Sequence, residues 1–114
     1  MANKVFYTSI FEKYYKKYSK KYRTLNEEIL VLEQQLIEQP TLGTELGGGL
    51  YKIRLASKSK NKGKSGGFRV ITYLVTEEKD EIIINLLIIY DKSDISNIPK
   101  QTLLAILADL LDRD

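Results

Sequence analysis

Seven basic residues and no acidic one fall between Lys52 and Arg69: Lys52, Arg54, Lys58, Lys60, Lys62, Lys64 and Arg69. Lysine and arginine make charge-assisted hydrogen bonds to phosphate oxygens, and arginine can do so through two parallel N–H groups. A surface built this way suits phosphates. The chain has no cysteine and no histidine. Thiol nucleophiles, disulfide frameworks, Cys- or His-ligated metals, imidazole acid–base chemistry and hydrolytic triads are therefore excluded together. Any catalysis must run on Lys, Arg, Tyr, Ser/Thr or carboxylates, and no cofactor or metal is implied.

The elements that position these residues lie in the same stretch, LYKIRLASKSKNKGKSGGFR from Leu50 to Arg69. Successive side chains of a strand point to opposite faces, so Tyr51, Ile53 and Leu55 go to one side and Lys52 and Arg54 to the other. A loop with lysine at every second position follows, and Gly66-Gly67 leads into a second strand that opens with Phe68-Arg69. A hairpin through that loop brings Arg69 beside Lys52 and Arg54 on one face. Keeping a sheet edge soluble is the plainer reading of the strand cations. Against it, seven uncompensated charges repel one another at a cost in stability.

Charge is segregated along the 114 residues. Residues 1–24 hold seven basic residues against one acidic, and beyond Arg69 and between these segments carboxylates dominate, so the net charge is only +3. Such asymmetry speaks to partners, here an anionic one, most simply nucleic acid. Length and a hydrophobic fraction of 43% predict one globular domain over 1–114. The first residues lack a signal-peptide pattern. The longest apolar run, Ile82 to Tyr90, is interrupted by Asn85 and is about half the ~20 residues of a membrane helix. A cytoplasmic protein without a membrane partner is expected.

In chain order, Lys4–Tyr7 reads as a short strand. Ile10, Phe11, Tyr14, Tyr15, Tyr18 and Tyr22 then recur at helical spacing with lysines between them, an amphipathic helix with a solvated basic face. Thr24 opens a second helix with Glu27 in the capping-box position, and Leu25, Ile29, Leu32 and Leu36 mark its buried face before Pro40 ends it. TLGTELGGGL reads as a glycine-rich connection whose glycines form a flexible turn. Strands follow over Leu50–Ala56, Phe68–Thr76 and Ile82–Tyr90, the last apolar enough to be central. Glu77 to Glu81 is a solvated turn, its carboxylate spacing matching no cation loop. Pro99 starts a last helix with Leu103, Leu104, Leu107, Leu110 and Leu111 as its stripe. The predicted fold class is α+β in the order β-α-α-β-β-β-α, a small antiparallel-dominated sheet with helices packed on one side.

These segments resemble the RelE/ParE toxin superfamily of type II toxin–antitoxin modules, and within it the HigB-like branch. The markers are G-L-x-K-I-R at Gly49–Arg54, G-K-S-G-G-F-R-V-I-T-Y at Gly63–Tyr73, and I-Y-x-K at Ile89–Lys92. The F-x-K-Y of the first helix and P-x-L-G at Pro40–Gly43 extend the likeness to nearly the whole chain. The resemblance implies a ribosome-dependent mRNA endonuclease that inhibits translation and growth. It implies a metal-independent reaction in which a 2′-hydroxyl attacks the adjacent phosphate.

On that resemblance Arg69 stabilises the phosphorane-like transition state. Lys52 and Arg54 bind flanking phosphates or orient the scissile one. Tyr90 and Lys92 are the candidates for proton transfer, given a positive surround that lowers the pKa. Lys58, Lys60, Lys62 and Lys64 join Lys52 and Arg54 as RNA-binding residues, through contacts with rRNA or an antitoxin. The partners implied are the ribosome, mRNA and a cognate antitoxin of helix-turn-helix, HigA-like type. Ser93 and Ile98-Pro99 stand where well-known relatives carry a further arginine and a C-terminal tyrosine, which leaves the acid–base assignment open. Tyr90 also reads as a core residue with its hydroxyl at the rim. Two alternatives to the nuclease stand on the same residues: a gyrase-poisoning ParE-like toxin, and a non-catalytic RNA- or DNA-binding module.

Overall fold

The computed structural model describes residues 3–60, 67–76, 81–95 and 97–111. Eight elements follow in the order β1 (Lys4–Tyr7), α1 (Ser9–Lys21), α2 (Leu25–Glu38), β2 (Thr44–Gly47), β3 (Leu50–Leu55), β4 (Phe68–Thr76), β5 (Ile82–Asp91) and α3 (Lys100–Leu111). The strands form one sheet in the order β1-β5-β4-β3-β2, antiparallel except where β1 pairs with β5. The apolar run at Ile82–Tyr90 is thus an interior strand, as its composition predicts. The α+β class stands, with one strand more than the sequence suggests.

That extra strand is β2, inside the segment read as a glycine-rich connection. Thr44 pairs with Lys52 and Glu45 with Tyr51. Gly47, Gly48 and Gly49 all have positive φ, at 93°, 64° and 86°. Three consecutive residues in this region cost a side-chain-bearing chain heavily, and glycine little. The run is therefore the tight turn of a β2–β3 hairpin, and the order becomes β-α-α-β-β-β-β-α.

The expected helical layer is made by α1 and α2. Phe11 and Tyr18 from α1 and Leu25, Ile29, Leu32 and Leu36 from α2 are buried in one cluster with Ile53, Phe68, Val70, Ile84, Leu86 and Ile89 of the sheet. Their spacing is that of one helix face on one sheet face. The last helix comes onto the other face. Leu103 of α3 is buried with Leu50, Ile71, Leu87, Ile88 and Tyr90. Leu104 departs from the predicted stripe at 47% exposure, and Ile106 packs against this cluster instead. Leu111 ends the helix, and its side chain lies outside the description.

Two details of β5 set up the site. The β4–β5 register shifts between Ile71, opposite Ile88, and Thr72, opposite Leu86. Leu87 is the extra residue, a β-bulge, and it reverses the inward–outward phase of everything after it. Leu86 and Ile84 face α1 and α2; without the bulge Ile88 and Tyr90 would follow them. With it, Ile88 and Tyr90 join the α3 cluster while Ile89 joins the other. Thr8 holds this bulge. Its N–H donates to the Leu86 carbonyl at 3.2 Å, its hydroxyl donates to the Leu87 carbonyl at 2.8 Å, and the same oxygen caps α1 by accepting the Phe11 N–H at 3.0 Å. Thr24, in contrast, makes no side-chain cap on α2. The capping box does not form because its hydroxyl is engaged with Glu28 and Ser59.

Candidate active site

The β3–β4 hairpin places the basic residues as strand alternation requires. Arg54 lies directly opposite Arg69, and Arg69 lies directly opposite Tyr90. Directly opposed residues of antiparallel neighbours share a face, so Arg54, Arg69 and Tyr90 form one row across three strands. Lys52, two residues before Arg54, joins them on that face. Its Nζ donates to the Asn97 side chain at 3.1 Å. The hairpin can close just before this row only because residue 67 is glycine: a Cβ there would lie 2.1 Å from the Leu55 carbonyl oxygen.

Burial grades along the row. Arg54 is exposed, Arg69 is 6% exposed and Tyr90 is 1% exposed. An Arg69 Nη1 hydrogen bond to the Phe68 carbonyl, at 3.3 Å, helps hold the guanidinium. An arginine fixed in the sheet with an exposed one beside it offers an anion both a preorganised and an adaptable donor. Tyr90 corrects the expectation of a lowered pKa. Burial pushes its phenol up, and the neighbouring Arg69 charge offsets that only in part. Its phenol is protonated at neutral pH. Lys92 sits in the turn after β5, its N–H bonded to the Gly67 carbonyl at 3.2 Å, beside the same hairpin.

The lysines after β3 divide. Lys58 is exposed and faces a groove between β3 and α2 that Arg54, Val31, Gln35 and Glu38 also line. Its backbone N–H is held by the Glu28 carboxylate at 2.8 Å. Lys60 departs from the RNA-binding set. Its ammonium is inside the fold, paired with Asp91, with side-chain exposures of 6% and 3%. It also lies 5.1 Å from the Phe68 ring and 5.6 Å from the Tyr22 ring. While that pair holds, Lys60 is not available to a phosphate. Lys62 and Lys64 lie outside the described residues.

Asp91 is the residue that the sequence reading misses. It is 2% exposed. Burial alone would raise its pKa, but hydrogen bonds from Lys60, Ser93 and Tyr22 with the Lys60 charge outweigh this and hold it below the usual carboxylate range. Ser93 donates its N–H to Asp91 at 2.8 Å, and its hydroxyl stands 3.2 Å from the Lys60 ammonium. On α1 the tyrosines are structural: Tyr18 is buried, and Tyr14, Tyr15 and Tyr22 pack against the cores. Lys13, Lys17 and Lys21 lie over tyrosine rings at 6.0, 5.6 and 5.3 Å. No helix among the described residues is long and apolar enough to cross a membrane.

The comparisons with known proteins bear on this arrangement. The structure of an E. coli RelE toxin double mutant in the free state superposes with a TM-score of 0.58, at 15% sequence identity, covering 84% of this chain and 90% of that one. At that identity the likeness shows the fold. The sequence itself matches the family described as the RelE toxin of the RelE/RelB toxin–antitoxin system over residues 3–109, which takes in every element through most of α3 and the whole Arg54–Arg69–Tyr90 row. The chain belongs to the RelE toxin family, the translation-inhibiting mRNA endonucleases of toxin–antitoxin modules.

Proposed function

We propose that this protein cleaves ribosome-bound mRNA at the Arg54–Arg69–Tyr90 row by internal phosphoryl transfer. The observation that carries the reading is the register of three adjacent strands, which aligns a buried arginine, an exposed arginine and a protonated tyrosine on one face. The 2′-oxygen of one nucleotide attacks its own 3′-phosphorus, its proton passing to solvent. The bond to the next nucleotide's 5′-oxygen breaks, and that oxygen takes a proton from Tyr90, whose hydroxyl it reaches once the α3 side chains that bury Tyr90 shift aside, leaving a 2′,3′-cyclic phosphate. Arg69 and Arg54 hold the non-bridging oxygens, whose charge grows in the transition state. Lys52 and Lys58 bind flanking phosphates, and Lys92 adds positive charge beside Tyr90. Nothing in this sequence of steps calls on a metal, an imidazole or a thiol.

The row must be silenced when growth is permitted. An acidic or helical antitoxin segment laid over the basic face would do so, and the HigB-like features of the sequence point to a helix-turn-helix, DNA-binding antitoxin of HigA type. Inducible expression with mapping of mRNA 5′ ends minutes after induction tests the function. Cuts inside translated codons that vanish in Arg69→Ala are expected. Growth arrest with intact mRNA and broken DNA would replace this reading with gyrase poisoning, and binding without cleavage would leave an RNA-binding module.

A further inference from the structure

The carboxylate behind Tyr90 is held from several directions. Asp91 Oδ1 accepts from the Lys60 ammonium and from the Ser93 N–H. Its Oδ2 accepts from the Tyr22 hydroxyl at 3.1 Å, and the Asp91 N–H donates to the Tyr18 hydroxyl at 3.2 Å. The turn that carries Lys60 is itself anchored. Lys60 N–H donates to the Ser57 hydroxyl at 3.3 Å. Ser59 and Thr24 exchange hydrogen bonds, with each backbone N–H donating to the other's hydroxyl at 3.0 and 2.8 Å. Glu28 receives the Lys58 N–H. One rigid connection therefore runs from the start of α2, through Lys60, to the last residue of β5.

Strand alternation gives this connection its consequence. Asp91 points toward α1, so Tyr90 points to the opposite face, against Arg69. The next residue, Lys92, closes onto the Gly67 carbonyl, two residues before Arg69. Fixing Asp91 fixes both candidate groups at the end of β5 relative to the start of β4. Stability alone does not account for two buried charges, because a well-packed apolar pair of similar volume commonly serves as well. Directional bonds to both carboxylate oxygens do set an orientation, which an apolar pair would not.

We propose that the Lys60–Asp91 pair is a positioning clamp for the reaction, holding the Tyr90–Lys92 end of β5 against Gly67–Arg69 without touching RNA. The inference rests on the function proposed above and adds two positioning residues to it.

The test uses the full chain with Lys60→Met/Asp91→Asn, which removes both buried charges at once, keeps an acceptor for the Ser93 N–H and turns an amide N–H toward the Tyr22 hydroxyl oxygen. Tyr22→Phe serves as a milder variant that takes away one bond to Asp91 and leaves the ion pair. Three quantities are read: exchange of the Lys92 amide by NMR, affinity for single-stranded RNA, and the single-turnover cleavage rate on ribosome-bound mRNA at saturation. Thermal melting confirms that each variant is folded. In the double variant, Lys92 exchange is expected to quicken about tenfold and the rate constant to fall about ten- to a hundredfold, the usual consequence of a small misplacement. RNA affinity should stay within about twofold, as expected of a group that makes no phosphate contact. Tyr22→Phe should shift the first two quantities in the same sense and by less. Unchanged Lys92 exchange in folded variants would overturn the proposal. So would a loss of RNA affinity equal to that of Lys52→Ala, which would make Lys60 an RNA ligand. If the wild type cleaves nothing, the proposed function fails, and amide exchange still decides the clamp.

Discussion

Arg54 and Arg69 stand directly opposite each other in β3 and β4, and that arrangement predicts a trade between stability and function. Directly opposed residues have Cβ atoms about 5 Å apart, and like charges so placed destabilise a sheet by roughly 0.2–1 kcal/mol. Arg54 is exposed and makes no ion pair among the described residues, and its repulsion with Arg69 falls within that range. Arg54→Gln removes the repulsion and keeps a long polar side chain. With an unfolding entropy of about 2.1 cal/mol/K per residue, a chain of this length melts about 1–4 °C higher for that gain. The assay is thermal unfolding by circular dichroism, at low salt and again in 1 M NaCl. Screening shortens to about 3 Å at 1 M, so most of the gain should disappear there. The same substitution should slow cleavage and reduce the salt slope of single-stranded RNA binding by about 0.7, the share of one phosphate contact. An Arg54→Gln protein that melts lower than wild type at low salt would refute the reasoning, as would a gain that survives 1 M NaCl.

Other expectations follow from the same contacts. Thr8→Val removes both the α1 cap and the bond to the bulge carbonyl, so urea unfolding should show a loss of about 2–3 kcal/mol, more than one cap alone provides. Gly67→Ala forces a Cβ against the Leu55 carbonyl and should destabilise by about 1–3 kcal/mol in the same assay, with cleavage lost in step because Arg69 moves with it. Asp91 carries a lowered pKa, so its contribution is present above the usual carboxylate value and is lost as pH falls through the lower folded value. Asp91→Asn should therefore cost about 3–5 kcal/mol at pH 7, where it strands the buried Lys60 charge. The gap to wild type should narrow as the solution is made acid, which urea unfolding across pH measures.

How much of this was legible depends on the kind of signal each residue carries. The alternation Tyr51, Lys52, Ile53, Arg54 and the Gly66-Gly67 pair suffice to bring Arg69 to the face of Lys52 and Arg54, because period-two patterning fixes the face; the long loop leaves the pairing of Arg69 with Arg54 itself unread. The interior position of β5 follows from its unbroken apolar run. The same run hides the bulge: Leu86, Leu87, Ile88 and Ile89 are all apolar, so no polar residue marks where the phase reverses. Without the bulge Asp91 would be assigned to the Arg69 face, and its pairing with Lys60 cannot be guessed. Lys60 then looks like any other lysine in an alternating series. β2 escapes notice because Gly47-Gly48-Gly49 has the composition of a linker, and only the sign of three φ angles makes it a turn. The side of the sheet taken by α3 is likewise unreadable from a leucine stripe, which says that a face is buried and not where.

The central claim is that Arg69 stabilises the charge developing on the scissile phosphate. The direct test is the single-turnover rate constant for cleavage of ribosome-bound mRNA at saturating protein, wild type against Arg69→Ala, with thermal melting to confirm that the variant is folded. Loss of one preorganised donor to a developing oxyanion predicts a fall of about 10²–10³-fold with RNA still bound. A folded Arg69→Ala protein that cleaves within a few-fold of wild type would contradict the account.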